Sequence, residues 1–504
     1  MYTNCLLIKN VWIADGSGAP LRRAALLAEA GVIRGLSDDA PAGFPAAAAV
    51  DGGGGILAPG FIDVHGHSDL ALPAAPDAFS KVSQGVTTEL AGNCGLSPFP
   101  LTGANREHLS ELYREYGVEL DWNDLPGYRN ALEARAPKIR LTPLCGHNTL
   151  RAAVAGYGRE TLKPGELREM RRLLADALDA GAPGLSLGLL YVPGKFATEG
   201  EIVALFEVLA ERGAIATCHL RSEGGELLEA IDEMIGCAKK ARLRHLHFSH
   251  FKTARRENWH KLDAALERIE AARRDGIRLT VDRYPYLDSM TQLSALLPSP
   301  WDDLDDSALQ RLLAAPDERR RLVDALRLSC TPEFWGRLRL ASTSAPRFAS
   351  RRGAMLTDLG GDPAETTAEL LAADANGTAV AAQGMCGENL RRILSLDFCM
   401  MGSDGFALPP EKGGHPRSFG AAAKFLRFLL EEGMPIEAAV RRMTGLAAET
   451  FALRDRGILA PGRAADLVIF DPDEIDSHAD FAEPSRPAEG IRLTATAGKI
   501  VYRP

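Results

Sequence analysis

Short apolar runs recur along the chain with two different periods. In the first sixty residues, runs such as CLLIKNVWIA and RAALLAEAGVIRGL alternate apolar with polar positions between the turn formers DGSG and DDAPAG, which predicts short antiparallel strands. The tail repeats this pattern in RAADLVIFDP and GIRLTATAGKIVYRP. Two ends that both read as strands can close one sandwich, because the termini of compact folds often lie close together. Residues 1–59 and 452–504 are assigned to that small β-sandwich. Between them, over 60–451, eight β-rich runs alternate with amphipathic helical stretches: GFIDVHGH, GVTTELAGNCG, RLTPLCGHN, GLSLGLLYVPG, AIATCHLRSEG, RHLHFSHFK, RLTVDRYPY and CMMGSDG. Strand and helix in alternation predict a parallel sheet, and eight such units predict a (β/α)8 barrel of the α/β class. The stretch from Tyr286 to Asp404 is too long for one crossover. Within it, WDDLDDSALQRLLAAPDERRRLVDALRLS has acidic caps and helical spacing, so residues 299–348 are expected to form a short helical insert over the barrel mouth.

Composition narrows the partners rather than the fold. The 504 residues are 46% hydrophobic and 25% charged, the balance of a globular enzyme-sized chain. The net charge of -9 is spread along the sequence with no basic stripe, which excludes a nucleic-acid partner. No run reaches the roughly 18 to 20 apolar residues of a spanning helix, and the start lacks the form of a secretory signal. No membrane partner is expected, and the protein is expected in the cytoplasm. Its eight cysteines stand at irregular spacing and read as reduced thiols, one of them a candidate ligand. Oligomeric state stays open.

Polar residues gather at the C-terminal ends of the eight runs, where barrels of this kind build their active sites. His65 and His67, two apart at a strand end, point to one face and can reach one ion. Cys94 ends the second run in GNCG, and His219 and His250 end the fifth and sixth. Singly, each histidine also fits a hydrogen-bonded structural role and Cys94 a buried thiol. Together, five nitrogen and sulfur donors from four strands on one rim suit zinc with a coordination position left for water. Asp404, in MGSDG at the end of the eighth run, adds a carboxylate able to take a proton from that water.

The runs GFIDVHGHSD, KVSQGVTTELAGNCG, HLRSEG, SHFK, RYPY, GSDG and HPRSFG, with RDRGILAPGRAADLVIFDP near the end, resemble the N-acyl-D-amino acid deacylases (D-aminoacylases) of the amidohydrolase superfamily. The resemblance runs in order from about residue 55 to 490 and implies a barrel with a small sandwich and an inserted helical segment. It implies one tightly held zinc on Cys94, His219 and His250, a second, weaker ion beside His65 and His67, and Asp404 as catalytic acid/base. It further implies Arg417, Lys252 and Tyr284 as contacts to substrate, with Arg417 holding the α-carboxylate. Read from the residues alone, Arg417 fits a surface loop arginine better than a pocket residue, and Tyr284 also fits a strand cap with its hydroxyl satisfied. Phe251 stands where many relatives carry a histidine, and Gly66 and Ser68 where a threonine and an aspartate are common. His147 ends the third run and is assigned a structural or supporting role. Lys195 lies beyond its strand in a Pro-Gly loop and is assigned no metal. The resulting expectation is zinc-dependent hydrolysis of an N-acyl-D-amino acid, a small-molecule substrate, to a carboxylate and a D-amino acid. Hydrolysis of a cyclic amide, or of a dipeptide with a C-terminal D-residue, is the alternative, and a barrel kept as a non-catalytic scaffold is the other.

Overall fold

A computed structural model of the chain describes residues 5–37, 49–375, 377–412 and 414–504; the DDAPAG turn at 38–43 lies outside them. All eight apolar runs supply barrel strands: β1 Phe61–Asp63, β2 Val86–Ala91, β3 Arg140–Pro143, β4 Gly184–Gly188, β5 Ile215–His219, β6 His245–Phe248, β7 Arg278–Arg283 and β8 Cys399–Met401. β3 breaks at Leu144 and resumes at Cys145–Gly146 to pair with β4. Every neighbouring pair is parallel. The ring closes where the Val64 N–H donates to the Met401 carbonyl at 3.1 Å and the Asp404 N–H to the His65 carbonyl at 2.7 Å. β2 and β4 are buried at every position, as strands covered on both faces must be, and in β2 this burial extends to Thr87, Thr88 and Glu89.

The crossover helices fix where each strand ends. Helix Glu199–Arg212 shows how: the Thr198 side chain accepts from the Glu201 N–H at its start, and Gly213 ends it in the left-handed region at φ +64. The turn that follows delivers β5 with His219 at its last position. Repetition of this unit brings eight strand ends to one rim.

The sandwich is drawn from both ends of the chain. Its sheet runs in the order Lys499–Tyr502, Ile491–Thr496, Leu467–Phe470, Ile56–Pro59, Cys5–Ile13, Arg22–Glu29 and Val32–Ser37, with Ala49–Asp51 also on Cys5–Ile13. Its edge strand Val32–Ser37 meets the segment before Leu467–Phe470, where the Ile33 N–H donates to the Arg463 carbonyl at 2.8 Å. Leu26, Leu57, Leu467 and Leu493 fill the interior. Only Gly60 separates Ile56–Pro59 from β1, so the sandwich anchors the barrel beside the His65–His67 loop.

The insert differs from the short helical segment expected at 299–348. Helices Asp306–Leu313, Pro316–Ser329 and Pro332–Trp335 are present, but they pack with helix Pro363–Asp374 on a three-stranded antiparallel sheet. That sheet joins Asp288–Gln292, Ala379–Gln383 and Leu338–Ser342. Its first strand, DSMTQ, is half-buried along its whole length and carries no alternation for a sequence pattern to show. The insert has its own apolar core around Leu309, Leu322, Leu340 and Val380. It is tied to the rim through Lys195, whose ammonium meets Asp302 Oδ2 at 2.9 Å and Asp303 Oδ1 at 3.0 Å.

Candidate metal centre

Three residues at the rim hold backbone conformations that side chains rarely adopt: Cys94 at φ +52, His250 at φ +36 and Asp404 at φ +50. Each costs on the order of 1–3 kcal/mol, and such strain persists only where the surroundings fix it. At Cys94 the fixing is visible. Gly95 follows at φ +81, and a Cβ there would lie 2.2 Å from Asn148 Oδ1, so this neighbour has to be glycine.

The strained turns bring the predicted donors into two groups that share one sulfur. Cys94, His219 and His250 form the first and His65, His67, Cys94 and Asp404 the second, with donor atoms in each group within 4.8 Å of one another. Cys94 Sγ lies 3.4 Å from His65 Nε2 and 3.5 Å from His250 Nε2. The outer nitrogens of both rings face carboxylates: His65 Nδ1 is 3.1 Å from Asp282 Oδ2, and His250 Nδ1 is 2.8 Å from Glu223 Oε1. A carboxylate on Nδ1 fixes the tautomer that leaves Nε2 free for a metal. His219 is buried with neither ring nitrogen hydrogen-bonded. Burial of the Cys94 thiol opposes its ionisation, but the charge of His65 and the adjoining His219 and His250 rings hold its pKa well below the ordinary value. This favours the thiolate, the form that binds metals.

In the second group the protein's own charges are already matched. Asp404 Oδ1 meets His67 Nε2 at 3.1 Å, and Asp404 Oδ2 meets Arg417 Nη1 at 2.8 Å. Burial pushes the Asp404 carboxyl up, yet the Arg417 guanidinium and the His67 hydrogen bond hold it well below the carboxylate range. Burial likewise lowers His67, but the Asp404 and Cys94 contacts raise it to about 9. His250, opposed by burial and by Lys252, is raised to about 9 by Glu223 and Cys94.

Of the three predicted substrate contacts, Lys252 and Arg417 are ion-paired to carboxylates and Tyr284 is not. Its buried hydroxyl has no hydrogen bond, and its ring lies between Arg283 Cζ at 4.0 Å and Arg417 Cζ at 4.8 Å. Burial raises that hydroxyl, while Arg283, Lys252 and Arg417 together hold it below the usual tyrosine value. Lys252 Nζ lies 2.8 Å from His250 Nδ1 and also bonds the Glu223 carboxylate. Arg417 is buried at the start of helix Arg417–Glu431, which excludes the surface-loop reading.

The model of the amidohydrolase family matches residues 48–329 and 411–502. The chain belongs to the amidohydrolase family. Within that family it is 36% identical to the N-acyl-D-glutamate deacylase of Alcaligenes xylosoxydans xylosoxydans, over 99% of this chain and 93% of that protein. It is 33% identical to the D-aminoacylase of the same organism, over 99% of this chain and 94% of that protein. Among solved structures it resembles the N-acyl-D-glutamate deacylase of Bordetella bronchiseptica, with a TM-score of 0.82, 34% identity and coverage of 99% of this chain and 96% of that one. That crystal structure holds zinc and a phosphonate inhibitor that mimics the tetrahedral intermediate of the reaction. These matches place this amidohydrolase in the D-aminoacylase branch, with its barrel and β-sandwich.

Two carboxylates that the sequence reading left without a role hold this amidohydrolase's donor set in place. Asp282 bonds His65 Nδ1, His247 Nε2 at 2.8 Å and the His250 N–H at 2.9 Å, linking β1, β6 and β7. Its signal was its place at the end of β7, two residues before Tyr284 and so on the same face. Glu223 follows His219 by four residues in HLRSEG, a spacing that pointed to no shared partner. His147 belongs to neither donor group: its Nε2 meets Glu201 Oε1 at 2.8 Å in a buried pair at the foot of helix His147–Ala155. Lys195 is likewise outside both groups, in the loop after β4, where it pairs with Asp302 of the insert.

Proposed function

We propose that this amidohydrolase hydrolyses the amide bond of N-acyl-D-amino acids, releasing a carboxylate and a free D-amino acid. The observation that carries the reading is the pair of donor groups meeting at Cys94 with the Asp404 carboxylate between them and a guanidinium. Thiolate and imidazole donors suit zinc, and His219, buried with both nitrogens unbonded, leaves a vacancy in hydrogen bonding that a metal would fill. Cys94, His219 and His250 would hold the tight ion, and His65 and His67 a weaker one. An ion there supplies Lewis-acid polarisation of the amide carbonyl and a water acidified to a pKa of about 7.

The chain's own groups do the rest. Arg417 keeps Asp404 ionised, so its carboxylate accepts the proton of the attacking water and later delivers it to the leaving nitrogen. Tyr284 offers its unpaired hydroxyl, and Lys252 and Arg417 their charge, to the α-carboxylate, fixing the hand at the α-carbon. We also read the protein as cytoplasmic. Its cysteines are all free thiols and, among the described residues, no helix is long and apolar enough to cross a membrane.

The test is a panel of N-acetyl-D- and N-acetyl-L-amino acids incubated with the zinc-loaded chain and with Asp404→Asn. Release of D-amino acids alone is expected, with kcat reduced about 10²- to 10⁴-fold in Asp404→Asn at unchanged zinc content. Release of L-amino acids alone, or full turnover by Asp404→Asn, contradicts the assignment.

A further inference from the structure

Beneath the His65–His67 loop lies a second set of charges, out of reach of water: Asp63, Lys81 and Glu89, each at most 1% exposed. Lys81 Nζ meets Asp63 Oδ2 at 2.7 Å, Glu89 Oε2 at 2.8 Å and Ser403 Oγ at 3.0 Å. Burying an ion costs several kcal/mol unless opposite charge and hydrogen bonds meet it. Here the remaining bonds all end on backbone or side chains beside the donors. Asp63 Oδ1 accepts from the N–H of His65 at 3.2 Å and from the N–H of Ser403, next to Asp404, at 2.9 Å. Glu89 accepts from the Ser68 N–H at 2.9 Å and from Ser68 Oγ at 2.7 Å, one residue after His67. Ser68 Oγ in turn accepts from the Ala407 N–H at 2.7 Å, tying the loop across the closing seam of the barrel.

Glu89 also occupies the space under the residue between the two histidines. A Cβ on Gly66 would lie 2.2 Å from Glu89 Cδ and 2.3 Å from Oε1, both inside any tolerable contact. The loop can approach this carboxylate only with glycine at 66, and the residue at 68 ties it there by donating twice.

We infer that Glu89 is a positioning residue that fixes the His65-Gly66-His67 loop, and that Gly66, Ser68 and Glu89 act as one unit setting how tightly the His65/His67 position holds its ion. The inference rests on the reading of these histidines as ligands of a second, weaker ion. Losing a group that orients a metal ligand typically costs 10- to 100-fold in affinity.

The test titrates the metal-free full-length chain with zinc by calorimetry, in wild type, Glu89→Gln, Glu89→Val and Glu89→Val with Ser68→Asp, with thermal midpoints measured beside each. The wild type is expected to show two binding phases. In Glu89→Gln and Glu89→Val the second phase weakens about 10- to 100-fold while the first keeps its affinity. Ser68→Asp returns a carboxylate to within reach of Lys81 in the valine background and restores the second phase. Glu89→Gln preserves shape and keeps the test open should the valine variant not fold. An unchanged second phase in both single variants overturns the inference, as does parallel weakening of both phases with a fall in midpoint, which marks a merely structural role. A single phase in the wild type overturns the reading of His65 and His67 as ligands, and the inference with it.

Discussion

The two donor groups share Cys94 yet are built in opposite ways. In the Cys94–His219–His250 group, His219 has no hydrogen bond on either nitrogen, and the Glu223 carboxylate sits on the outer nitrogen of His250 and lies 3.9 Å from His219 Nε2. In the His65–His67 group, His67 is already paired with Asp404 and Asp404 with Arg417. An ion entering the first position gains contacts the protein does not supply, whereas one entering the second must displace an internal ion pair. The comparison teaches that ligand count alone does not rank two sites. What the donors do in the ion's absence decides.

The strongest way to break this contrast is at the shared sulfur. Cys94→Ala removes a donor from both groups and is expected to abolish both zinc-binding phases, lowering D-amino acid release by on the order of 10³-fold or more. Zinc content and turnover measured together check it, and survival of the first phase would mean the groups do not meet at Cys94. A more selective change is Glu223→Gln, which removes the charge behind His250. It should weaken the tight phase about 10- to 100-fold and leave the second untouched, a split that calorimetry reads directly.

The smallest effect is on pH dependence. His67 and His250 are raised in the folded, metal-free chain to about 9, above the ordinary value of about 6.5. The stability they lend is fully present below about 6.5 and is lost as pH rises through about 9, by at most about 1.4 kcal/mol per pH unit for each histidine. Denaturant midpoints of the metal-free chain should therefore fall between pH 6.5 and 9. Those of the zinc-loaded chain should not, because the metal takes the proton's place. Equal slopes for the two forms would contradict this.

The barrel was readable because each strand carries its own signal, an apolar run bounded by turn formers and ending in a polar residue. His65, Cys94, His219, His250 and Asp404 were found at those ends, and the family resemblance ranked them. The pairings among them were not readable. Nothing in the sequence brings Arg417 to Asp404, or Glu89 beneath Gly66, since the first depends on how the loop after β8 folds back and the second on the register between β1 and β2. The insert's sheet escaped for a different reason: its strands are short, and Asp288–Gln292 is half-buried along its length, so no periodicity marks it. The departures at Gly66 and Ser68 accommodate the Glu89 carboxylate.

The central claim is that catalysis belongs to the ion position the protein leaves unsatisfied. The direct measurement is hydrolysis of an N-acetyl-D-amino acid by the metal-free chain as zinc is added in known equivalents, with the L-enantiomer as control. Release of the D-amino acid should climb to its maximum with the first equivalent and gain nothing from the second. Turnover that appears only with the second equivalent would contradict the account.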